Sequence, residues 1–217
     1  MAVQTTPPVA LEQPPLPPRR RGRRIVRLIG KTLIVMGFLV LAFVAYELWG
    51  TGVVTERAQA KAREGISRSG FPVKAIPGQA IGFIRIPRMR LDMAFVEGSD
   101  HEALKKGPGH YADTPLPGEP GNVAIAGHRT TYLHPFWDLQ KLRPGDLIEL
   151  QTRLGTFRYA VKWHRVVAPL SGVWVLNATK VPSLTLTTCN PRFSARERLI
   201  VRAVQVSGPG TPRGGDS

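Results

Sequence analysis

The chain has a single cysteine in 217 residues, Cys189, so no disulfide can form within it. Acidic residues are scarce, 15 against 30 basic ones. The five histidines and the cysteine show no H-x-x-x-H or C-x-x-C spacing, which argues against a zinc site, and no metal or cofactor is expected. No internal repeat is visible, and there is only one long apolar run. A net charge of +15 raises the question of nucleic acid. Charge alone, however, reports non-specific attraction rather than a binding mode. Seven of the cations (Arg19, Arg20, Arg21, Arg23, Arg24, Arg27 and Lys31) lie in the first 31 residues with Glu12 as the one acid, and they abut the apolar run. A topogenic role is the simpler account, and no nucleic-acid partner is expected.

The apolar run is uncharged from Thr32 to Tyr46, short of the about 20 residues that span a bilayer core. Extension over residues 25–54 restores the length, with Lys31 snorkelling toward headgroups and Tyr46 and Trp49 suited to an interfacial belt. The arginines place the N-terminus on the cytoplasmic side and the remainder outside. A cleaved signal peptide is the rival reading, but no clean small-x-small cleavage site follows. The expectation is an uncleaved single-pass anchor in the cell membrane with an extracellular domain. An exported domain usually pairs its cysteines, so a lone one suggests either a reactive thiol or a buried inert residue.

Residues 1–24 read as a disordered Pro/Arg-rich cytoplasmic tail, 55–75 as a stalk in which Glu56–Arg68 is either a short helix or part of the stalk, and 207–217 as a frayed C-terminal tail. The domain between, 76–206, is patterned as β. Strands are expected at Ile81–Ile86, Leu91–Val96, Asn122–Ala126, Leu147–Leu150, Phe157–Val167, Ser183–Thr188 and Leu199–Val206. Helical content is small: Ser99–Lys106 with Ser99 or Asp100 as N-cap, and a turn near Pro135–Leu139. Many short strands with Gly/Pro punctuation imply an all-β closed barrel or sandwich.

Three residues stand at strand ends or starts. Asn122–Ala126 delivers Gly127-His128, Ser183–Thr188 delivers Cys189, and Arg198 opens the last run. Leu184 and Leu186 face one way while Thr185, Thr187 and Cys189 face the other, and pairing with the last run brings Arg198 beside Cys189. Asn190-Pro191 turns the chain out of the strand just after the thiol. The nucleophile is the thiolate, and an uncoupled Cys–His pair at pH 7 holds thiolate and imidazolium together less than about 1% of the time. Mutual attraction or a guanidinium raises that fraction, leaving His128 to protonate a leaving amine and Arg198 to hold a carbonyl oxygen as it gains charge.

The local sequences are more specific than the residue types. Thr-Leu-Thr-Thr-Cys-Asn-Pro at 185–191, Arg-Leu-Ile-Val at 198–201 and Ala-Gly-His-Arg at 126–129, in the order His, Cys, Arg behind an N-terminal anchor, resemble the sortase family. The TLTTC-x-P form is most similar to class E, with class D the nearest competitor. The resemblance implies a closed eight-stranded β-barrel with few short helices and a surface groove. It implies cleavage of a C-terminal sorting signal between Thr and Gly through a thioester on Cys189, with His128 as general acid/base and Arg198 as oxyanion ligand. The expected partners are secreted proteins bearing an LAxTG- or LPxTG-like signal and, as acceptor, the amine of a peptidoglycan precursor. Tyr111, Thr130 and Thr188 are the candidates for substrate contact, Tyr111 through a link to the LAxTG preference. Some relatives use calcium, but no acidic cluster for it is evident.

The other histidines are less telling. His164 reads as a strand residue and His110 as a turn residue that could instead line the groove. Phe136, Trp137, Trp163 and Trp174 read as core or groove wall. An L,D-type cysteine transpeptidase would place Ser/Thr-His-Gly before its cysteine, and Thr187-Thr188 lack that His. A cysteine hydrolase, or a membrane-anchored binding module on a degenerate sortase fold, stays open as an alternative.

Overall fold

A computed structural model describes residues 20–46, 50–169 and 173–209. The expected tail of residues 1–24 falls largely outside the described residues, as does most of the C-terminal tail. The apolar run forms helix α1, Arg20–Ala45. Its stretch Gly22–Ala45 is long and apolar enough to cross a membrane, and its apolar side chains are exposed. The helix and the remainder of the chain form two separate units.

The second unit is a closed barrel of eight strands. They are β1 (Ala80–Ile86), β2 (Leu91–Glu97), β3 (Gly109–His110), β4 (Asn122–Ala126), β5 (Leu147–Thr152), β6 (Gly155–Val167), β7 (Ser183–Asn190) and β8 (Glu197–Ser207). Around the barrel the order is β1-β2-β3-β4-β7-β8-β6-β5. Neighbours are antiparallel except β2 with β3 and β4 with β7, which run parallel. Alternation fills the inside: Ile84, Phe95, Ile125, Leu150, Leu186 and Val201 are all buried in one apolar cluster. Seven of the strands coincide with apolar alternation in the sequence. The two-residue β3 is too short to show a period.

The site-bearing strands are covered outside as well as in. A 3₁₀ turn at Val173–Leu176 lies over the outer face of β4, β7 and β8. The Val175 carbonyl accepts hydrogen bonds from Asn122 at 2.9 Å and Arg202 at 2.8 Å, and Asn122 in turn accepts one from Thr185 at 2.7 Å. This cover stops before the end of β7. Residues 183–188 are buried, whereas Cys189 and Asn190 are partly open.

Two sequence boundaries move. Residues 51–54, expected inside the anchor, open helix α2, Thr51–Ser69, which ends on Gly70 with its N–H donating to the Ile66 carbonyl. The stretch expected as a stalk is therefore helical for most of its length and docked on the barrel. Its buried residues are Thr51, Thr55 and Gln59, one turn apart each. Gln59 donates to the carbonyls of Ala94 (2.9 Å) and Lys106 (2.7 Å) and accepts from the Ala94 N–H (2.7 Å). Arg63, next in the same row, pairs with Asp92 at 3.1 Å. Short helix α3, His101–Leu104, is capped by Asp100, which accepts from the N–H groups of Glu102 and Ala103.

Candidate active site

The pairing registers assemble the site. On the parallel pair β4/β7, Ala126 lies opposite Thr187. Carried two residues further, that register sets His128 level with Cys189. On the antiparallel pair β7/β8, Cys189 lies opposite Arg198. Cys189 and Arg198 are thus paired across β7/β8, and His128 follows the end of β4 on the neighbouring strand, at the edge where the outer cover stops.

The row is built on a stiff corner. Gly127 donates from its N–H to the Thr187 carbonyl at 3.0 Å, and the His128 carbonyl accepts from the Phe136 N–H at 3.1 Å. A Cβ on Gly127 would stand 2.6 Å from the ring of Phe136, itself fully buried, so only glycine lets this ring pack under the turn into His128. The Thr188 hydroxyl donates to the Gly127 carbonyl at 2.7 Å and is buried. Thr188 therefore ties the ends of β4 and β7 together, and alternation places it on the inward face of Leu184 and Leu186. Thr187 is the threonine on the cysteine's face, and its hydroxyl lies 3.0 Å from that of Tyr111. Thr130 is half-buried in the loop after His128.

Arg129 is a residue at this site that the sequence did not single out. It is buried, and its guanidinium donates to the Cys189 carbonyl (3.0 Å), to the Asn190 side-chain oxygen and to Gln140 (3.0 Å). It clamps the segment after the histidine onto the backbone of the nucleophile. The only cue was its place beside His128 in Ala-Gly-His-Arg. His110 also differs from expectation. It is a buried strand residue whose Nδ1 lies 2.9 Å from the buried carboxylate of Glu97, its opposite number across β2/β3. It braces the segment that leads to Tyr111.

Burial, reinforced by the nearby charge of His101, lowers the His128 pKa to about 4. Its Nε2 is buried and has no hydrogen-bond partner among the described residues. The imidazole is therefore neutral at pH 7 with a nitrogen free to take a proton. This differs from the expected thiolate–imidazolium pair: desolvation disfavours the imidazolium until a reacting thiol supplies its counter-charge. Arg198 donates to the carbonyls of Ala195 and Glu197, each at 3.0 Å, and so is parked on its own loop. Beside it, Arg192 stacks 4.0 Å over Trp137, and Phe193 stands 72% exposed.

A closed eight-stranded barrel with a cysteine, a neutral histidine and an arginine aligned at its rim is the scaffold of a cysteine transpeptidase. The sortase domain family model matches residues 84–206, and the chain belongs to the sortase family. It is 35% identical over 84% of its length to sortase SrtE1 of Streptomyces coelicolor, and 32% identical over 89% to sortase SrtE2 of the same organism. Sortase D of Bacillus subtilis is 29% identical over 73% of the chain, so the likeness is greater to the two class E relatives. The chain aligns with 58% of the length of SrtE1, 90% of SrtE2 and 86% of sortase D. Among solved structures, sortase E from Streptomyces avermitilis superposes with a TM-score of 0.56 at 35% identity, over 64% of this chain and 97% of that one. Sortase E1 from S. coelicolor, solved with a tripeptide in its active site, superposes at 0.57 and 31% identity, over 64% and 98%.

Proposed function

We propose that this sortase is a membrane-anchored transpeptidase that cleaves a C-terminal LAxTG- or LPxTG-like sorting signal between Thr and Gly and joins the new carboxyl end to a cell-wall amine. The observation that carries the reading is the pairing of Cys189 with Arg198 across β7/β8, beside the end of β4 that leads into His128. A peptide substrate is supported by the tripeptide held in the active site of the S. coelicolor relative.

Neutral His128 takes the thiol proton of Cys189 as its sulfur bonds to the Thr carbonyl carbon. Arg198 leaves the carbonyls of Ala195 and Glu197 to hold the oxygen that gains charge. The imidazolium gives its proton to the Gly nitrogen as the C–N bond breaks, leaving a thioester. An incoming amine attacks the thioester, its proton passes to His128, and the sulfur leaves with the proton returned. Tyr111 and Thr187 line the face beside the sulfur, and Thr130 borders it. α1 spans the membrane with the N-terminus cytoplasmic and the barrel outside, because the arginines are concentrated at its start.

Intact-mass spectrometry of the full chain in detergent, with LAxTG and LPxTG peptides and with or without a small amine, tests this. An acyl adduct on Cys189 that the amine converts to a Gly-replaced product supports the reading. A folded protein with a titratable thiol and no adduct from either peptide rejects it.

A further inference from the structure

Two further rings, those of Tyr132 and His101, meet the ring of His128. Tyr132 lies 4.9 Å from it, centroid to centroid, with the planes tilted by 34°. His101, at the start of α3, is edge-on to His128 at 6.4 Å and to Tyr132 at 6.1 Å. The Tyr132 ring is not held there by its own local conformation. Tyr132, Leu133 and His134 are three consecutive non-glycine residues at positive φ (52°, 59° and 37°). Side chains disfavour that region, so surrounding structure must hold it.

The holding element is α2. The Tyr132 N–H donates to the Thr51 hydroxyl at 3.3 Å, and a Cβ on Gly52 would touch the Leu133 side chain at 3.3 Å. One turn on, the Thr55 hydroxyl donates to the Lys105 carbonyl at 2.7 Å, at the end of the helix that carries His101. The next turn places Gln59 on Lys106 and Ala94. The stripe of α2 thus grips both segments that touch His128, and it does so through hydrogen bonds rather than apolar packing.

We propose that α2 is a working part of the active site, bracing the Tyr132 turn and α3 so that Tyr132 and His101 fix the orientation of the His128 imidazole and keep water from it. Tyr132, His101 and Thr55 are on this account positioning residues. The inference rests on the reading of His128 as the acid–base group. The titratable groups shown against that imidazole are His101 on α3 and Tyr132 on its own loop; Cys189 and Arg198, paired across β7 and β8, end the neighbouring strands, and Arg129 is turned to the Cys189 carbonyl. His101 is flanked by Glu102 and Lys105, which pair with each other at 2.6 Å.

The test is an NMR titration of the His128 ring in the full chain in detergent micelles, for the wild type and the variants Tyr132→Leu, His101→Gln, Thr55→Val and Thr55→Ser. Tyr132→Leu and His101→Gln should each raise the midpoint by about half a pH unit or more, since one admits water and the other removes a like charge. Thr55→Val should shift it the same way by less, and Thr55→Ser, which keeps the hydroxyl, should restore it. A purely structural α2 would lower the melting temperature of Thr55→Val and leave the midpoint where it was, and that result overturns the proposal. His101 is exposed, so His101→Gln will fold whatever Thr55→Val does, and an unmoved midpoint there removes His101 from the account. The readout needs no turnover: shifted midpoints in a chain that forms no acyl adduct would sink the transpeptidase reading and leave the brace standing.

Discussion

Cys189 and His128 sit at the ends of adjacent parallel strands that are buried on both faces and tied by Gly127, Thr188 and Arg129. Arg198 belongs to a different kind of structure. Its strand partner is Cys189, but its guanidinium is held by the carbonyl of Ala195 in the turn before β8 and by that of Glu197, the first residue of β8. The contrast separates what must not move from what must. A proton passing between sulfur and nitrogen needs fixed geometry before substrate arrives. A charge developing on a substrate oxygen needs a donor only once the substrate is there. The largest expected effect lies with the fixed pair: Cys189→Ala should lower turnover by on the order of 10⁴-fold or more while peptide binding persists, as seen by fluorescence titration. Turnover that survives this substitution would remove the pair from the chemistry altogether.

Arg198→Lys sharpens the other half of the comparison. Lysine keeps the charge but not the planar fork, so kcat should fall by roughly 10²-fold. The melting temperature should scarcely change, because the residue is held only by its own loop. Arg129→Met should behave in the opposite sense. It strips donors from the Cys189 carbonyl, Asn190 and Gln140, so it should destabilise the fold by about 1–3 kcal/mol and cut kcat by about tenfold through a misplaced nucleophile. Thermal melts beside steady-state kinetics distinguish the two. Equal loss of stability in both variants would erase the distinction between a rigid pair and a mobile arm.

The strands that carry the candidate residues were legible in the sequence and their support was not, for a physical reason. Alternation of apolar residues announces which strands exist, and the Cys-Asn-Pro and Gly-His-Arg segments mark where two of them end. Buried polar anchors leave no such pattern. The stripe Thr51, Thr55, Gln59 and Arg63 has helical spacing but no hydrophobicity, so nothing in it announced that α2 packs on the barrel. Arg129 looked like one more cation in a chain with 30. Thr188 was the exception: the same alternation that put Leu184 and Leu186 inside already pointed it at the core.

The smallest expected effect is the one that bears most closely on the chemistry. With its midpoint at about 4, His128 is about nine-tenths neutral at pH 5, so kcat/KM should change little between pH 7 and pH 5 and fall only below that. A histidine at its ordinary 6.5 would be only about 3% neutral at pH 5, and activity would already have collapsed. Stability must follow the same group in a definite direction. Between about 4 and 6.5 the unfolded chain binds the proton that folded His128 refuses, so the fold loses stability as pH falls through that window and levels off beneath it. Melts at pH 7, 5.5 and 4 should therefore descend, and His128→Asn should flatten the descent. An acid limb near 6.5 with a flat stability profile would mean that the imidazole is open to water, and that the rigid half of the comparison is looser than its hydrogen bonds imply.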